Sequence, residues 1–467
     1  MTYKKNSDTS RGAGKSSSGP TTGKLSRREF AKTSFVAGAA AVTVPNVLRA
    51  DPQSADDALP VAKSSDKNVA HSQEWRDGLT IPAEYYLDLE HYKEDERYIG
   101  ENFWLLADHV NRIPETGDFF VFKFGLGESV IVVRGEDQEI RAFNNVCRHR
   151  GSRLCKHDED PRPNDERLSV KQLGESGNAQ FFRCPYHAWL YDLDGSLMDA
   201  YDVHDDFDMA DNGLVPCHTR VEEGQIFLNF SRAAEPPPFE RLTKGGDFGE
   251  FAKKYGIANL KIAARRSYPI KGNWKLAIEN FLECYHCGAA HKTLVTTHDF
   301  DYTLTQSQKK RRQSQISAWL GQETVEGSGQ LNPGFESGSL DGKQLAPLLP
   351  NLKEPTRVTD RVDTYWSTGY WRSYDDYVAM ARFTPRGPES TDAEIIWLVH
   401  PDAVEGKDYD PEKLMALWDI TMREDAWLVE NNHVGVKSGG YRAGHYSARE
   451  GWPSGFIDWY MNEVVKA

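Results

Sequence analysis

Two sets of metal-binding side chains, in a fixed order along one chain, constrain this protein more than any other feature. Cys147-x-His149 is followed by Cys184-x-x-His187; further on come His286-x4-His291 and, more than a hundred residues later, Asp425. Two thiolates and two imidazoles can hold a [2Fe–2S] cluster, with Cys on one iron and His on the other, or a structural zinc ion. Two His and one carboxylate suit a mononuclear non-haem iron that keeps positions open for oxygen. A centre that carries single electrons, placed before an iron that can bind O2, reads as an oxygenase.

The flanking residues describe the scaffold. Residues 119–124 (FFVFKF) and 129–134 (SVIVVR) are dense in β-branched and aromatic side chains and read as strands. Gly135-Glu136-Asp137 separates the second run from residues 139–143, a hairpin signal that leads into Cys147. Residues 180–183 deliver Cys184 in the same way, and residues 188–191 lead away from it. Both Cys/His loops therefore belong at strand ends of a small antiparallel β-domain, over residues 102–235. Residues 156–179, mostly charged and broken by Pro161, Pro163 and Gly174, read as a surface insertion between them. After Pro236-Pro237-Pro238 the composition changes, and residues 236–467 mix strands such as 394–399 with helices, among them 411–427 with Pro411 in its first turn. Residues 76–101 are expected to be helical and to pack on that larger domain. The fold class expected is α+β, with a small antiparallel β-domain and a larger domain of antiparallel sheet and helices. The Gly-, Pro- and Ser-rich stretch 321–355 is too long for a simple connection and is expected to form a lid.

Charge divides the chain. Residues 1–50 hold nine Lys/Arg against two Asp/Glu, a local +7, so the net charge of −14 leaves −21 on the remainder. Such an acidic body argues against a nucleic-acid-binding surface. The basic leader carries Ser26-Arg27-Arg28-Glu29-Phe30-Ala31-Lys32, then a mildly apolar stretch and small Ala50. It resembles a bacterial twin-arginine export signal over residues 1–50, followed by a polar linker over 51–75. The resemblance implies a periplasmic protein, tethered to the membrane if the leader stays uncut. No other segment approaches a membrane span. Cys155, Cys217, Cys284 and Cys287 are expected to be reduced, mostly buried thiols.

Cys147-Arg148-His149-Arg150-Gly151 and Cys184-Pro185-Tyr186-His187-Ala188-Trp189 resemble the Rieske signature of ring-hydroxylating oxygenase α-subunits. The Rieske proteins of cytochrome complexes add a disulfide between the two loops; Ser152 and Tyr186 stand at those positions here. The run from Asn273-Trp274-Lys275 through Glu279-Asn280 to His286 and His291 resembles the catalytic motif of the same α-subunits. Residues five apart on an ideal helix are separated by roughly 140°, so the two His would not share a face; either Gly288 lets the backbone adjust, or the metal sits in a groove reached from both sides. In the segment 424–432 the carboxylate ligand implied by the resemblance is Asp425, with Glu424 as its alternative. Glu283 stands where the family links a cluster His of one subunit to an iron His of the next, which implies a head-to-tail homotrimer.

The resemblance further implies a [2Fe–2S] cluster at Cys147, His149, Cys184 and His187, mononuclear Fe(II) at His286, His291 and Asp425, and O2 as co-substrate. The chain has no dinucleotide-binding glycine fingerprint. Electrons from NAD(P)H would thus arrive through a separate reductase or ferredoxin. Glu283 in a Glu-Cys-Tyr-His-Cys context resembles the oxygenases of quaternary ammonium compounds. Trp366, Tyr370, Trp371 and Tyr377 could supply a cation–π cage or serve equally well as core, and an aromatic substrate is the other reading. Tyr285, Asn280 and Trp274 either line the iron pocket or pack structurally, and the Lys309–Arg312 run is a solvated face or a docking site for an acidic redox partner. An exported iron–sulfur electron carrier without oxygenase activity is the alternative function.

Overall fold

A strand can carry an unbroken apolar run only if both its faces are buried. The two runs at 119–124 and 130–133 meet that condition in the computed structural model, which describes residues 75–156, 172–239, 248–300, 330–364 and 369–466, with isolated positions between 307 and 318. The leader, the linker to residue 74, most of the insertion after Lys156, Trp366 and part of the Lys309–Arg312 run lie outside the described residues.

Strands β1 (Leu105–His109), β2 (Asp118–Phe124), β3 (Glu128–Arg134), β4 (Ile140–Asn144) and β5 (Ser176–Asn178) join two later strands in one antiparallel sheet. Three short strands, β6 (Phe182–Arg183), β7 (Leu190–Tyr191) and β8 (Leu197–Asp199), form a separate meander that carries the second Cys/His loop. Strands β9 (Pro216–Glu222) and β10 (Gln225–Asn229) complete the large sheet, in the order β1-β10-β9-β4-β3-β2-β5. Alternation along β2 and β3 divides the sheet between two cores. Phe119, Val121, Ile131 and Val133 face a core shared with Cys147 and Cys184. Phe120, Phe122, Val130 and Val132 face the core of the larger domain.

That domain is built on a second antiparallel sheet of β11 (Lys261–Ile270), β12 (Arg361–Asp363), β13 (Gly369–Ser373), β14 (Val378–Gly387) and β15 (Ser390–Val399), in the order β11-β15-β14-β13-β12. The sheet is also covered on both faces: Tyr370, Ile395 and Trp397 join the main core, whereas Trp371, Ile396 and Leu398 join a third, smaller one. Asp108 on β1, fully buried, ties the two sheets together. It accepts from Arg112 at 2.6 Å and from Arg265 of β11 at 2.7 and 2.8 Å. Burial opposes ionisation there, yet Arg112, Arg265 and Arg382 hold the carboxyl at about 2.

Ahead of the sheets lie α1 (Glu84–Leu87) and α2 (Leu89–Asn102), the latter capped by Asp88. After α3 (Phe248–Tyr255) comes α4 (Trp274–Phe281), whose N-cap is Asn273; its side chain accepts from Lys275 N at 2.9 Å and donates to Tyr86 O and Pro388 O. Trp274 donates to Asp95 of α2, and the fully buried Lys275 ammonium pairs with the same carboxylate. One turn on, Glu279 accepts from Tyr86 at 2.7 Å and from Tyr446. The Asn-Trp-Lys-x3-Glu part of the motif therefore clamps the N-terminal helices and the C-terminal segment onto α4. Trp274 is core, not pocket lining.

The helix ends at Phe281. A turn follows, then the single-turn α5 (Cys287–Ala290) and α6 (Lys292–Thr297). The helix from Pro411 extends nine residues beyond the expected end: α7 runs Pro411–Val436, capped by Asp410, because Val429, His433 and Val436 keep a buried face past Trp427. A last helix, α8 (Gly451–Trp459), covers Trp274 through Phe456. Residues 330–355 do not form a lid. Leu331 and Leu349 are buried, and Asp376 accepts from Ser337 Oγ and Leu345 N, so this stretch is packed into the body. Among the described residues no helix is long and apolar enough to cross a membrane.

Two stability predictions follow from α4. Asp95→Ala leaves the Lys275 ammonium buried and unpaired, so urea unfolding should show a loss of about 3–5 kcal/mol. Burial pushes Glu279 up to about 7, against the hydrogen bonds of Tyr446 and Tyr86. The folded state then binds more protons than the unfolded one from the ordinary Glu range up to about pH 7, and stability falls as pH rises across that window. In Glu279→Gln that slope should flatten, so the variant gains most on the native protein above pH 7.

Candidate metal centres

The two Cys/His loops have the same local design. In the first, Cys147 N–H donates to Ser152 O at 2.8 Å and Gly151 N–H returns to Cys147 O at 3.0 Å. In the second, Cys184 N–H donates to Trp189 O at 2.9 Å and Ala188 N–H returns to Cys184 O at 3.1 Å. The fourth residue after each Cys is left-handed, Gly151 at φ 74° and Ala188 at φ 60°. A left-handed alanine is uncommon and persists only where the surroundings enforce it. Asn145 closes the first loop from beneath, accepting from Leu154 N and Cys155 N and donating to Cys155 O.

Both sulfurs point inward and both imidazoles outward. Cys147 and Cys184 are buried, His187 is half-buried and His149 is exposed. The His rings lie 4.5 Å apart between centroids; His149 stacks on Trp189 and His187 on Tyr186. The buried Tyr191 hydroxyl accepts from Arg148 N–H at 3.0 Å, which leaves its proton for Cys147 Sγ at 3.2 Å. Two buried thiols with a hydroxyl donor and two surface imidazoles fit a [2Fe–2S] cluster with its Cys-bound iron inside and its His-bound iron at the surface.

The second group forms where α4 has ended. His286 precedes α5, and His291 leaves it with φ −107° and ψ 68°, outside the helical region. This break removes the angular conflict of a five-residue spacing. Their Nε2 atoms are 3.0 Å apart, and Asp425 Oδ1, from the middle of α7, lies 2.9 Å from His291 Nε2 and 3.2 Å from His286 Nε2. Three ligands at about 2.1 Å on adjacent corners of an octahedron are separated by about 3.0 Å. The three atoms thus have the spacing of one face of a six-coordinate metal.

Glu283 Oε1 lies 2.5 Å from His286 Nδ1, and Glu424 Oε2 lies 2.8 Å from His291 Nδ1. Each ring therefore has a carboxylate on Nδ1 and turns Nε2 toward Asp425. Of the two alternative carboxylates, Asp425 faces the convergence point and Glu424 stands behind the His291 ring. Burial disfavours the imidazolium of His286, but Asp425 and Glu283 outweigh it and hold the ring up at about 9. Within the chain Glu283 also accepts from Tyr285 N and His286 N, so it caps the turn that replaces the expected helix.

Cys284 and Cys287 form a disulfide, against the expectation of reduced thiols. The helix break folds the four residues into a turn that brings the two sulfurs together. Cys155 and Cys217 remain buried thiols, each pushed up by burial to about 12.

Beside the triad lies a small cavity of about 50 Å³. Phe281, Phe300, Tyr370 and Trp418 supply aromatic wall, Arg361 and Arg372 supply positive charge, and Asn280 and Thr421 line it as well. Of the aromatic residues expected to form a cage, only Tyr370 reaches it among those described. Trp371 points through the opposite sheet face onto Phe248, and Tyr377 donates to Gly338 O in the core. Tyr285 is 54% exposed and is not among the residues that line this cavity. Trp418 and Thr421 were not anticipated, although they stand seven and four residues before Asp425, the spacing that places side chains on one helix face. Tyr191, Arg361 and Arg372 carry no such local signal.

The larger domain matches the ring-hydroxylating alpha-subunit catalytic domain over residues 257–465, and the first β-domain matches the Rieske [2Fe-2S] domain over residues 103–206. Together the two domains imply an iron–sulfur cluster and a mononuclear iron. Over 428 residues the chain is 31% identical to the glycine betaine monooxygenase oxygenase subunit of Pseudomonas aeruginosa, covering 88% of this chain and 94% of that one. Choline monooxygenase of Spinacia oleracea is 27% identical over 79% of this chain and 74% of its own. The quaternary ammonium Rieske monooxygenase CntA with L-carnitine has the same fold, with a TM-score of 0.59 at 22% identity over 84% of this chain and 96% of that one. With both domains matched in order and a curated relative aligned over nearly its whole length, the chain belongs to the Rieske-type ring-hydroxylating oxygenase α-subunits, oxidoreductases that incorporate molecular oxygen.

Proposed function

We propose that this protein is the terminal oxygenase for a small, carboxylate-bearing quaternary amine, reduced by a separate reductase or ferredoxin that draws on NAD(P)H. The carrying observation is the cavity beside the triad, which combines aromatic wall, two guanidinium groups and the buried Tyr370 hydroxyl, an atom with no hydrogen-bond partner among the described residues. A buried hydroxyl of that kind calls for a polar ligand group. Arg361 lies over the Phe281 and Tyr370 rings, at 4.9 and 5.5 Å, and is ion-paired with Asp363 at 2.7 Å; with Arg372 it gives the cavity a guanidinium-lined end that suits a carboxylate. Trp418 and Phe300 remain as faces for the ammonium methyl groups. The full-length kinship with a glycine betaine monooxygenase subunit points the same way.

When bound, the cluster supplies single electrons and the mononuclear iron supplies a site for activating O2. Cys147, Cys184, His149 and His187 hold the former; His286, His291 and Asp425 hold the latter. Glu283 and Glu424 fix the ring orientations, and Glu283 holds the proton at His286 Nδ1. In a head-to-tail trimer, Glu283 would also meet a cluster His of the neighbouring subunit and carry the coupling between the centres. Leu294 and the aromatic residues keep bulk water from the reacting methyl. The overall reaction consumes O2, two electrons and two protons; one oxygen atom enters a C–H bond of an N-methyl group and the other leaves as water. The hydroxymethyl ammonium product then loses formaldehyde and a proton to give the tertiary amine. The matching twin-arginine positions support a periplasmic setting, where the electron donor must also reside. An electron carrier without oxygenase activity is disfavoured by the intact triad.

Metal and acid-labile sulfide per chain test the ligand assignment. The native protein should hold about three irons and two sulfides, and Asp425→Ala about two of each. Loss of sulfide in that variant would contradict the separation of the two centres. Substrate class is tested by O2 uptake and formaldehyde release with a reductase supplied. Glycine betaine should support both, and naphthalene neither. In Tyr370→Phe, KM for glycine betaine should rise about tenfold, the value of a hydrogen bond to a charged group, while choline, which lacks the carboxylate, is little affected.

A further inference from the structure

The disulfide lies inside the mononuclear centre. Cys284 and Cys287 bracket His286, both line the cavity beside the triad, and Cys287 is buried. The sulfur of Cys287 and one ring nitrogen each of His286 and His291 all lie within 4.8 Å of one another. Three donors so close together form a second possible ligand set, sharing both histidines with the first. While its sulfur is bonded to Cys284, Cys287 offers no thiolate, and the set is reduced to two imidazoles and the Asp425 carboxylate.

We propose that the Cys284–Cys287 disulfide selects the metal: closed, it withholds Cys287 and leaves the His286–His291–Asp425 set; opened, it adds a thiolate and makes a zinc site. The proposal rests on the reading that this triad holds a metal. The chemical reason is ligand softness. Two imidazoles and a carboxylate leave an open-sided centre of the non-haem iron type, whereas a thiolate completes a tetrahedral N/O/S set of the kind zinc prefers. Opening requires two electrons and two protons. A dithiol supplies them and becomes a disulfide; a phosphine supplies the electrons and takes oxygen from water to become a phosphine oxide. Cys287 then releases its proton to solvent as it binds the metal. In an oxidising compartment the disulfide persists, so the arrangement protects iron loading where the leader would send the protein.

The test uses the full chain with its cluster in place and the mononuclear iron removed by mild chelation. Alkylation of the unfolded, unreduced protein should leave Cys284 and Cys287 unmodified; labelling at either overturns the proposal. Zinc(II) is then bound with and without a phosphine reductant, and X-ray absorption is read at the zinc edge, to which the cluster contributes nothing. Without reductant the shell should contain only nitrogen and oxygen. With reductant a sulfur should enter at about 2.3 Å, and zinc affinity should rise by about tenfold or more, the scale on which one change around a metal registers. Cys287→Ser should lack the sulfur in both states, and Cys284→Ser should show it without reductant. A nitrogen-and-oxygen shell in both states of the native protein overturns the proposal but leaves the metal-binding triad standing. Failure to bind zinc in either state sinks the triad reading and the proposal together.

Discussion

Asp425 Oδ1 lies within 3.2 Å of two imidazole nitrogens that enter from a different part of the chain, and the rest of the larger domain is organised to make that meeting possible. The His come from a short, irregular segment that could not hold its shape alone. The carboxylate comes from the middle of a 26-residue helix, one of the stiffest elements available. The flexible side is restrained three times over: by Glu283 capping its turn, by the disulfide bracketing His286, and by Glu424 holding His291 from behind. The rigid side is restrained by packing, since α7 buries Leu414, Met415, Met422 and Val429 in the main core.

A similar division governs the molecule at large. The central strands of the two larger sheets are buried on both faces, so each of these sheets separates two cores. In the first, alternate residues of one hairpin support the Cys/His loops and the body of the enzyme. A disturbance at Val132 and one at Val133 would therefore reach different centres. The buried Asp108, with Arg112 and Arg265 against it, couples the sheets by charge where apolar contact alone would allow sliding. This pair of cores explains how surface imidazoles on the Cys/His loops and a cavity beside the His–Asp triad coexist on one chain.

Much of the centre was legible in advance because metal ligands are few in kind and occur at characteristic spacings. Cys147, His149, Cys184 and His187 lie on strand-end loops because strand signals flank both motifs. What periodicity concealed was the break after Phe281. Two imidazoles five apart do not share a face of an ideal helix, and the chain resolves this by ending α4 early. The disulfide followed from that same break, so it was hidden for the same reason. Cage and core were equally open for the aromatic residues near β13, and strand alternation decides between them by sending Tyr370 and Trp371 to opposite cores.

The sequence by itself determined which side chains are the candidate ligands, the order of the two domains, the strand character of the first, and the acidity of the body. These depend on residue chemistry and on neighbours within a few positions, where local sterics and hydrogen bonding decide the outcome. Only the tertiary structure decided which carboxylate faces the convergence point and which stands behind a ring, because Asp425 and Glu424 are adjacent and chemically alike. It alone placed Arg361, Arg372 and Trp418 around one cavity, and turned two cysteines beside His286 into a disulfide. Those outcomes depend on distances between segments far apart in the chain, set by how whole sheets and helices pack.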